Sequence, residues 1–399
     1  MQPPRGNALI GQSGGPTCVI NQSLVGIVEA ARASDSITNV YGALHGIKGV
    51  LEGKLIDLGR ESEETLEAVA RTPCAALRSV RKKPTREECE QALARFKQHD
   101  IRYFFYLGGN DSAETAHVLN ELAVAQGYDV RLFHVPKTID NDLRVNDHCP
   151  GYGSAARFVA MAMMGDNLDN RSLPGIKIDV VMGRHAGWLT AASVLARVHP
   201  DDGPHLVYVP EKVFDLDKFI ADVERVYKQH GRCLIALSEG VHGADGKTLV
   251  EGKEKDSHGN VQLSGSGALG DLLADEIKQK LGAKLRVRAD TFGYLQRSFP
   301  GVISPVDAKE ARAVGRTAVK LATGTKHAHG SVALVRAQAG PYRVTFEHTE
   351  LRNVAKETRP MEAGLLKGDN DIDPSFLEYV RPLVGELPKP ARLSDFALA

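Results

Sequence analysis

Two carboxylates, Asp140 and Asp142, stand two residues apart in the string Pro136-Lys137-Thr138-Ile139-Asp140-Asn141-Asp142, with a lysine three residues before the first. One member of such a pair can accept a proton from an attacking hydroxyl while the other organises a metal or the surrounding geometry. The ammonium of Lys137 can neutralise charge on a transferring phosphoryl group. Upstream lie two glycine turns, Gln12-Ser13-Gly14-Gly15-Pro16-Thr17 and Gly108-Gly109-Asn110-Asp111-Ser112, each between an apolar run and a segment of helical period. Glycine at such a turn lets backbone N–H groups close on an anion at a helix N-terminus. Either turn alone is a weak signal, and neither has the spacing of a dinucleotide fingerprint or a Walker loop. Two of them together point to a polyphosphate held between them. Asp111 is then the odd residue, because a carboxylate at the mouth of a phosphate cradle repels a further phosphate unless a cation offsets it.

Such turns need strands before them and helices after. Ala8-Leu9-Ile10 precedes Val19–Ala31, whose apolar positions recur every three or four residues, and the pattern returns at Tyr103–Leu107 before Ser112–Ala125. It returns at Leu132–Val135 before Gly153–Met164, at Ile176–Met182 before Ala186–Ala196, and at Leu206–Val209 before Asp217–His230 and Leu234–Leu237. This alternation predicts an α/β fold of mainly parallel sheets covered by helices, with ligands at the carboxyl ends of the strands. Val241–Gly267 lacks apolar periodicity and reads as a surface excursion before a helix at Ala268–Leu281. Ser331–Gln338 and Tyr342–His348 read as a hairpin.

At 399 residues the chain is longer than one hydrophobic core comfortably serves, so two domains with a cleft between them are expected. Lys plus Arg equals Asp plus Glu at 50 each, which leaves no overall field for nucleic acid or an anionic membrane. Any anion site must be local. Five scattered cysteines without C-x-x-C spacing read as free thiols in a reducing compartment. No apolar run approaches the roughly 20 residues needed to span a bilayer, so a soluble, cytoplasmic protein is expected. His185 reads as a structural hydrogen-bond partner and Trp188 as core. The basic run Arg78, Arg81, Lys82, Lys83, Arg86 reads as framing a pocket or facing solvent.

The ordered motifs Gly14-Gly15, Gly108-Gly109-Asn110-Asp111, Pro136 to Asp142, Met182-Gly183-Arg184, Glu239-Gly240 and Gly293-Tyr294-Leu295-Gln296-Arg297 resemble those of the phosphofructokinase family. The resemblance implies two similar doubly wound, Rossmann-like lobes with mainly parallel sheets and a cleft between them. Residues 1–151 would be the donor lobe, completed by part of 295–350, and 152–294 the fructose 6-phosphate lobe, completed by 351–399. It implies catalysis by Asp140 as base with Lys137, Asp111, Thr138 and Asp142. The substrate contacts it implies are Gly14, Gly15, Arg81, Thr138, Ile139, Asp140, Met182, Gly183, Arg184, Glu239, Tyr294, Leu295, Gln296 and Arg297. Arg288 matches an arginine that some members lend to the 6-phosphate across a subunit interface, in a homodimer or homotetramer. Mg2+ would sit at Asn110 and Asp111.

ATP-using members resemble Gly-Gly-Asp-Gly and Pro-Gly-Thr where this chain has Gly-Gly-Asn-Asp and Pro-Lys-Thr. Asp111 fills and repels where a nucleotide α-phosphate would lie, while Lys137 adds positive charge for the two phosphates that remain, as in pyrophosphate-dependent members. The chain departs from many members at Asn110, where an aspartate is common, at Tyr294, where ATP enzymes have a histidine, and at Gly175, where a neighbouring subunit's arginine is often found. An ATP-dependent member, a dinucleotide-binding oxidoreductase and a non-catalytic regulatory subunit are the alternatives.

Overall fold

The computed structural model describes residues 2–250 and 265–394. Eleven of its strands build two sheets. The first third of the chain supplies β1 (Gly6–Gln12), β2 (Ile37–Ala43), β3 (Leu55–Asp57), β4 (Ile101–Gly108) and β5 (Arg131–Pro136). Then come β6 (Ile176–Val181), β7 (Leu206–Tyr208), β8 (Cys233–Ser238) and β9 (Val287–Thr291), and finally β10 (His329–Arg336) and β11 (Val344–Thr349).

The seven-stranded sheet runs β11-β10-β5-β4-β1-β2-β3, parallel except at its two edges, where β2/β3 and β10/β11 pair antiparallel. The four-stranded sheet runs β7-β8-β6-β9 and is parallel throughout. The interior strands are short apolar runs because both of their faces are buried: all eight residues of β4 except Arg102, and all six of β5, are inaccessible. This is the α/β arrangement expected from the alternation, and the hairpin expected near the C-terminus is β10–β11, which joins the edge of the first sheet.

Helices cover both faces. Ile20–Arg32 and Pro305–Ala322 lie in contact on one side of the first sheet, and small residues set their distance. A Cβ on Gly26 would stand 2.2 Å from the carbonyl oxygen of Arg312, and one on Gly315 would stand 2.2 Å from that of Ser23. The second sheet is sandwiched between two apolar clusters. One holds Met163, Trp188, Val207 and Leu234 together with Phe376, Val380 and Leu383 of the C-terminal helix Ser375–Val384. Trp188 is thus core, as its place in the sequence suggested.

The helix expected at Ala186–Ala196 is an α-turn, Trp188–Ala192, that tightens into a 3-10 turn over Ser193–Ala196. Of the excursion expected at Val241–Gly267, residues 251–264 lie outside the described residues, and Val241 itself is buried. Among the described residues no helix is long and apolar enough to cross a membrane.

Candidate active site

The carboxyl ends of β1, β4, β5, β6 and β8, with the turn that follows β9, meet at one cavity of about 460 Å³. Backbone pairing fixes how the first-sheet turns approach each other. Ser13 N–H donates to the Leu107 carbonyl at 2.9 Å, and Lys137 N–H donates to that of Gly108 at 3.0 Å. Beneath the second turn, buried His134 bridges the Gly108 carbonyl through Nε2 at 2.8 Å and the Ser331 hydroxyl through Nδ1 at 2.8 Å. Burial brings its imidazole down to about 4, so at neutral pH the ring is uncharged and serves as a strut.

Three cations converge on the first glycine turn. Lys137 Nζ donates to the Gly15 carbonyl at 2.6 Å and lies 3.2 Å from where a Cβ on Gly14 would stand. A Cβ on Gly15 would lie 2.5 Å from Arg297 Nη1 and 3.5 Å from Arg81 Nη2. Glycine there leaves the room into which the guanidinium groups close. Burial, with Arg297 and Arg81 alongside, lowers the Lys137 ammonium to about 7. A depression of this size disfavours the charged lysine by on the order of 5 kcal/mol, a penalty that a bound polyanion reverses. Arg297 stacks over the Tyr294 ring at 4.5 Å, which holds its fork toward the cavity.

Asp140 and Asp142 share the cavity wall with these cations. The hydroxyl of Thr138 donates to Asp142 Oδ1 at 3.3 Å and accepts from the Asp140 N–H at 3.0 Å. Between the two acids, fully buried Asn141 takes the left-handed conformation at φ 58°. Its Nδ2 donates to the Tyr379 hydroxyl at 2.7 Å and its Oδ1 accepts from the Cys149 N–H at 3.0 Å. Burial raises Asp140 above the usual carboxylate range, against the pull of Arg184 and Lys137. Burial and the neighbouring Asp140 push Asp142 up to about 7.

The residues expected from sequence that line this cavity are Gly14, Gly15, Arg81, Asn110, Asp111, Lys137, Thr138, Ile139, Asp140 and Asp142, joined from the second sheet by Met182, Arg184, Glu239, Tyr294 and Arg297. Four others are not brought to its wall. Gly183, at φ 142°, packs against the Ala186 carbonyl and Ser238. Leu295 points outward at 56% exposure. Gln296 is buried beneath the site, where its Oε1 accepts from the Met182 N–H at 3.2 Å and its Nε2 donates to the Gly293 carbonyl at 2.9 Å. Arg288 is exposed on the edge strand β9 and donates to the Val287 carbonyl.

His185, read as structural, is a cavity residue, as are Ser13, Pro16, Gly109, Ser112, Lys356 and Thr358. Its place directly after Arg184 was the one sequence signal. Within the basic run only Arg81 reaches the cavity. Lys82 pairs with Glu88 at 2.6 Å and Lys83 with Glu114 at 2.7 Å.

Asn110 and Asp111 open the helix Asn110–Ala125, where an amide oxygen and a carboxylate face the same cavity. Asn110 Oδ1 accepts from the Asp111 N–H at 2.9 Å and keeps a second lone pair. Two hard oxygen donors beside a polyanion pocket fit a divalent cation.

Known proteins resemble the chain in sequence and in fold. The family model described as Phosphofructokinase matches residues 7–322. The pyrophosphate--fructose 6-phosphate 1-phosphotransferase of Rhodospirillum rubrum is 50% identical over 401 aligned residues, covering 99% of this chain and 98% of the relative. The protein of the same name from Methylococcus capsulatus is 38% identical, covering 95% and 91%. The crystal structure of a pyrophosphate-dependent phosphofructokinase from Nitrosospira multiformis superposes with a TM-score of 0.86 at 35% identity, covering 98% of this chain and 95% of that one.

Proposed function

The chain belongs to the phosphofructokinase family, and on that premise we propose that it transfers a phosphoryl group from pyrophosphate to the 1-hydroxyl of fructose 6-phosphate. The products are fructose 1,6-bisphosphate and inorganic phosphate, and the reaction is reversible. One observation carries the choice of donor: Lys137 and Asp111 line the same cavity as Asp140. The ammonium supplies charge to a two-phosphate donor, and the carboxylate repels a nucleotide's additional phosphate.

The pyrophosphate lies against the glycine turns, with Lys137, Arg81 and Arg297 drawing charge from its oxygens. The sugar phosphate occupies the side walled by Met182, Arg184 and Glu239. Arginine suits this wall because its planar fork takes phosphate oxygens in pairs. The 1-hydroxyl oxygen attacks the nearer phosphorus, its proton passes to Asp140, and the bridging P–O bond breaks to release phosphate. In reverse, Asp140 returns the proton. Thr138 and Asp142 orient the transferring group. A bound divalent cation, proposed to be Mg2+ held through Asn110 and Asp111, supplies further neutralisation of the donor oxygens.

The donor lobe comprises 1–151 with part of 295–350, and the sugar lobe 152–294 with 351–399. The seat of β10 and β11 in the first sheet, and of Ser375–Val384 against the second, supports this division. The working form is a homodimer or homotetramer in which Arg288, exposed on an edge strand, reaches a neighbour's sugar phosphate. The free thiols of all five cysteines suit the cytoplasm.

Turnover of the purified protein with each donor tests the reading. Pyrophosphate is expected to support the reaction with magnesium and fructose 6-phosphate. ATP activity well above pyrophosphate activity would overturn it.

A further inference from the structure

Strand β6 alternates. Ile176, Ile178 and Val180 face an apolar core, whereas Lys177 and Asp179 point to the opposite face. The neighbouring edge strand β9 pairs in register, so that Lys177 lies beside Arg288 and Asp179 beside Asp290. On the same side, the helix Tyr152–Ser172 brings in Asp166. One oxygen from each of Asp166, Asp179 and Asp290 lies within 4.8 Å of the other two. None of the three lines the catalytic cavity.

Asp179 makes this more than a group of surface acids. It sits on an interior strand of a parallel sheet, a position normally held by a β-branched apolar residue. Its side chain is fully buried, and neither carboxylate oxygen has a donor from an N–H or hydroxyl group; its one close polar neighbour of this kind is another acid, Asp166, with which it could only share a proton. The nearest ammonium, that of Lys177, bonds to Asp290 and lies 3.6 Å from Asp166. A buried carboxylate without a donor is costly in a folded protein, and burial together with Asp166 raises Asp179 well above the carboxylate range. With all three acids ionised, the single ammonium leaves two negative charges, the charge of one divalent ion.

We propose that Asp166, Asp179 and Asp290 form a second cation site, one that takes a hard divalent ion such as Ca2+ and is separate from the metal that serves the reaction. Three carboxylate oxygens are hard ligands, and their mutual separation is within about twice a Ca2+–O bond of 2.3–2.6 Å. The ion ties the helix Tyr152–Ser172 to β9. The turn that follows β9, Gly293–Arg297, delivers Tyr294 and Arg297 to the cavity.

Equilibrium dialysis of Ca2+ against the chelator-treated full-length protein, without pyrophosphate, tests the site. Wild type is expected to retain one more Ca2+ per chain than Asp179→Asn. Asp290→Asn, at the exposed rim, is expected to lose the same ion and keeps the test open if the buried variant folds poorly. Thermal melting adds a second reading: Ca2+ should raise the wild-type Tm to a plateau and leave that of either variant unmoved. Equal Ca2+ uptake by all three proteins overturns the proposal, whether because only the catalytic site binds it, because a proton shared by Asp166 and Asp179 fills the cluster, or because a cationic side chain of a second copy does.

Discussion

Lys137, at the end of β5, reaches across the mouth of the first sheet to hydrogen-bond the Gly15 carbonyl, 2.6 Å away on the turn after β1. The bond does more than tie two loops. It fixes the ammonium where the Arg81 and Arg297 guanidinium groups also arrive, and three cations held this close destabilise one another until an anion joins them. In the free protein the site therefore stores unfavourable charge that the proposed pyrophosphate would relieve.

Replacing Lys137 with Met keeps the bulk and removes the charge. The expected loss in kcat/KM for pyrophosphate is about 10²- to 10³-fold, the scale of removing one group that stabilises transition-state charge. Asp111→Gly combined with Lys137→Gly should lower pyrophosphate use further and narrow the gap between pyrophosphate and ATP. Steady-state kinetics with both donors measures this. Undisturbed pyrophosphate turnover in the double variant would show that selectivity resides elsewhere.

The pH profile follows from the same charges. In its proposed role as base Asp140 must be ionised, and its raised position moves the acid limb above the ordinary carboxylate range, so kcat/KM should climb as pH rises toward neutrality. Lys137 is charged below about 7 and loses its proton above it, so kcat/KM for pyrophosphate then falls. A narrow bell near neutral pH is expected. Lys137→Arg carries its charge throughout and should abolish the alkaline limb even where its rate is low. An alkaline limb unchanged in that variant would assign it to another group.

Asp140→Asn retains shape and loses basicity. A drop in kcat of about 10²- to 10⁴-fold is expected, with pyrophosphate binding not weakened, because a repelling carboxylate has left the wall. Calorimetric titration of pyrophosphate beside single-turnover rates separates the two effects. A kcat within a few-fold of wild type would remove Asp140 from the chemistry.

The inner strands of both sheets were legible in sequence because β1, β4, β5 and β8 carry short apolar runs buried on both faces and closed by glycine or a polar turn, and β6 ends in one, whereas β2, β3 and β9 had no such signal. Helices whose contacts depend on small residues were not. Pro305–Ala322 packs through Ala311, Gly315 and Ala318 and shows little large-residue periodicity. Arg86–Gln98 is polar except for a seam of Cys89, Leu93 and Phe96. At the site, the glycines and Asp140 announced themselves through motif chemistry. Gln296 did not reveal that it faces inward, because only the approach of the Met182 backbone makes it a support. His185 reads as structural because a histidine at a helix start is more often a hydrogen-bond partner, yet it lines the cavity beside Arg184. The support of the acidic loop comes from more than 200 residues away, a separation of 218 positions in one contact, and no local pattern encodes it.

That support is Arg359. Its N–H donates to the Asp142 carbonyl at 2.7 Å, and its Nη2 donates to the carbonyls of Asn141 at 3.2 Å and Asp147 at 2.7 Å. Its guanidinium lies over the Trp188 ring at 4.6 Å, so one rigid fork joins the acidic loop to the apolar cluster packed on the second sheet. Asn141 holds its left-handed conformation inside this frame, which leaves Asp140 and Asp142 both facing the cavity. A lysine at 359 would keep the charge and lose the fork and the stacking. Arg359→Lys should therefore misplace the base with little change in what binds substrate: kcat is expected to fall about 10- to 100-fold, while KM for both substrates moves only a few-fold. The loss of charged hydrogen bonds should also lower stability by about 1.5–3 kcal/mol, read as an earlier denaturation midpoint. A variant that is destabilised but keeps its full kcat would make Arg359 a structural strut with no share in placing Asp140.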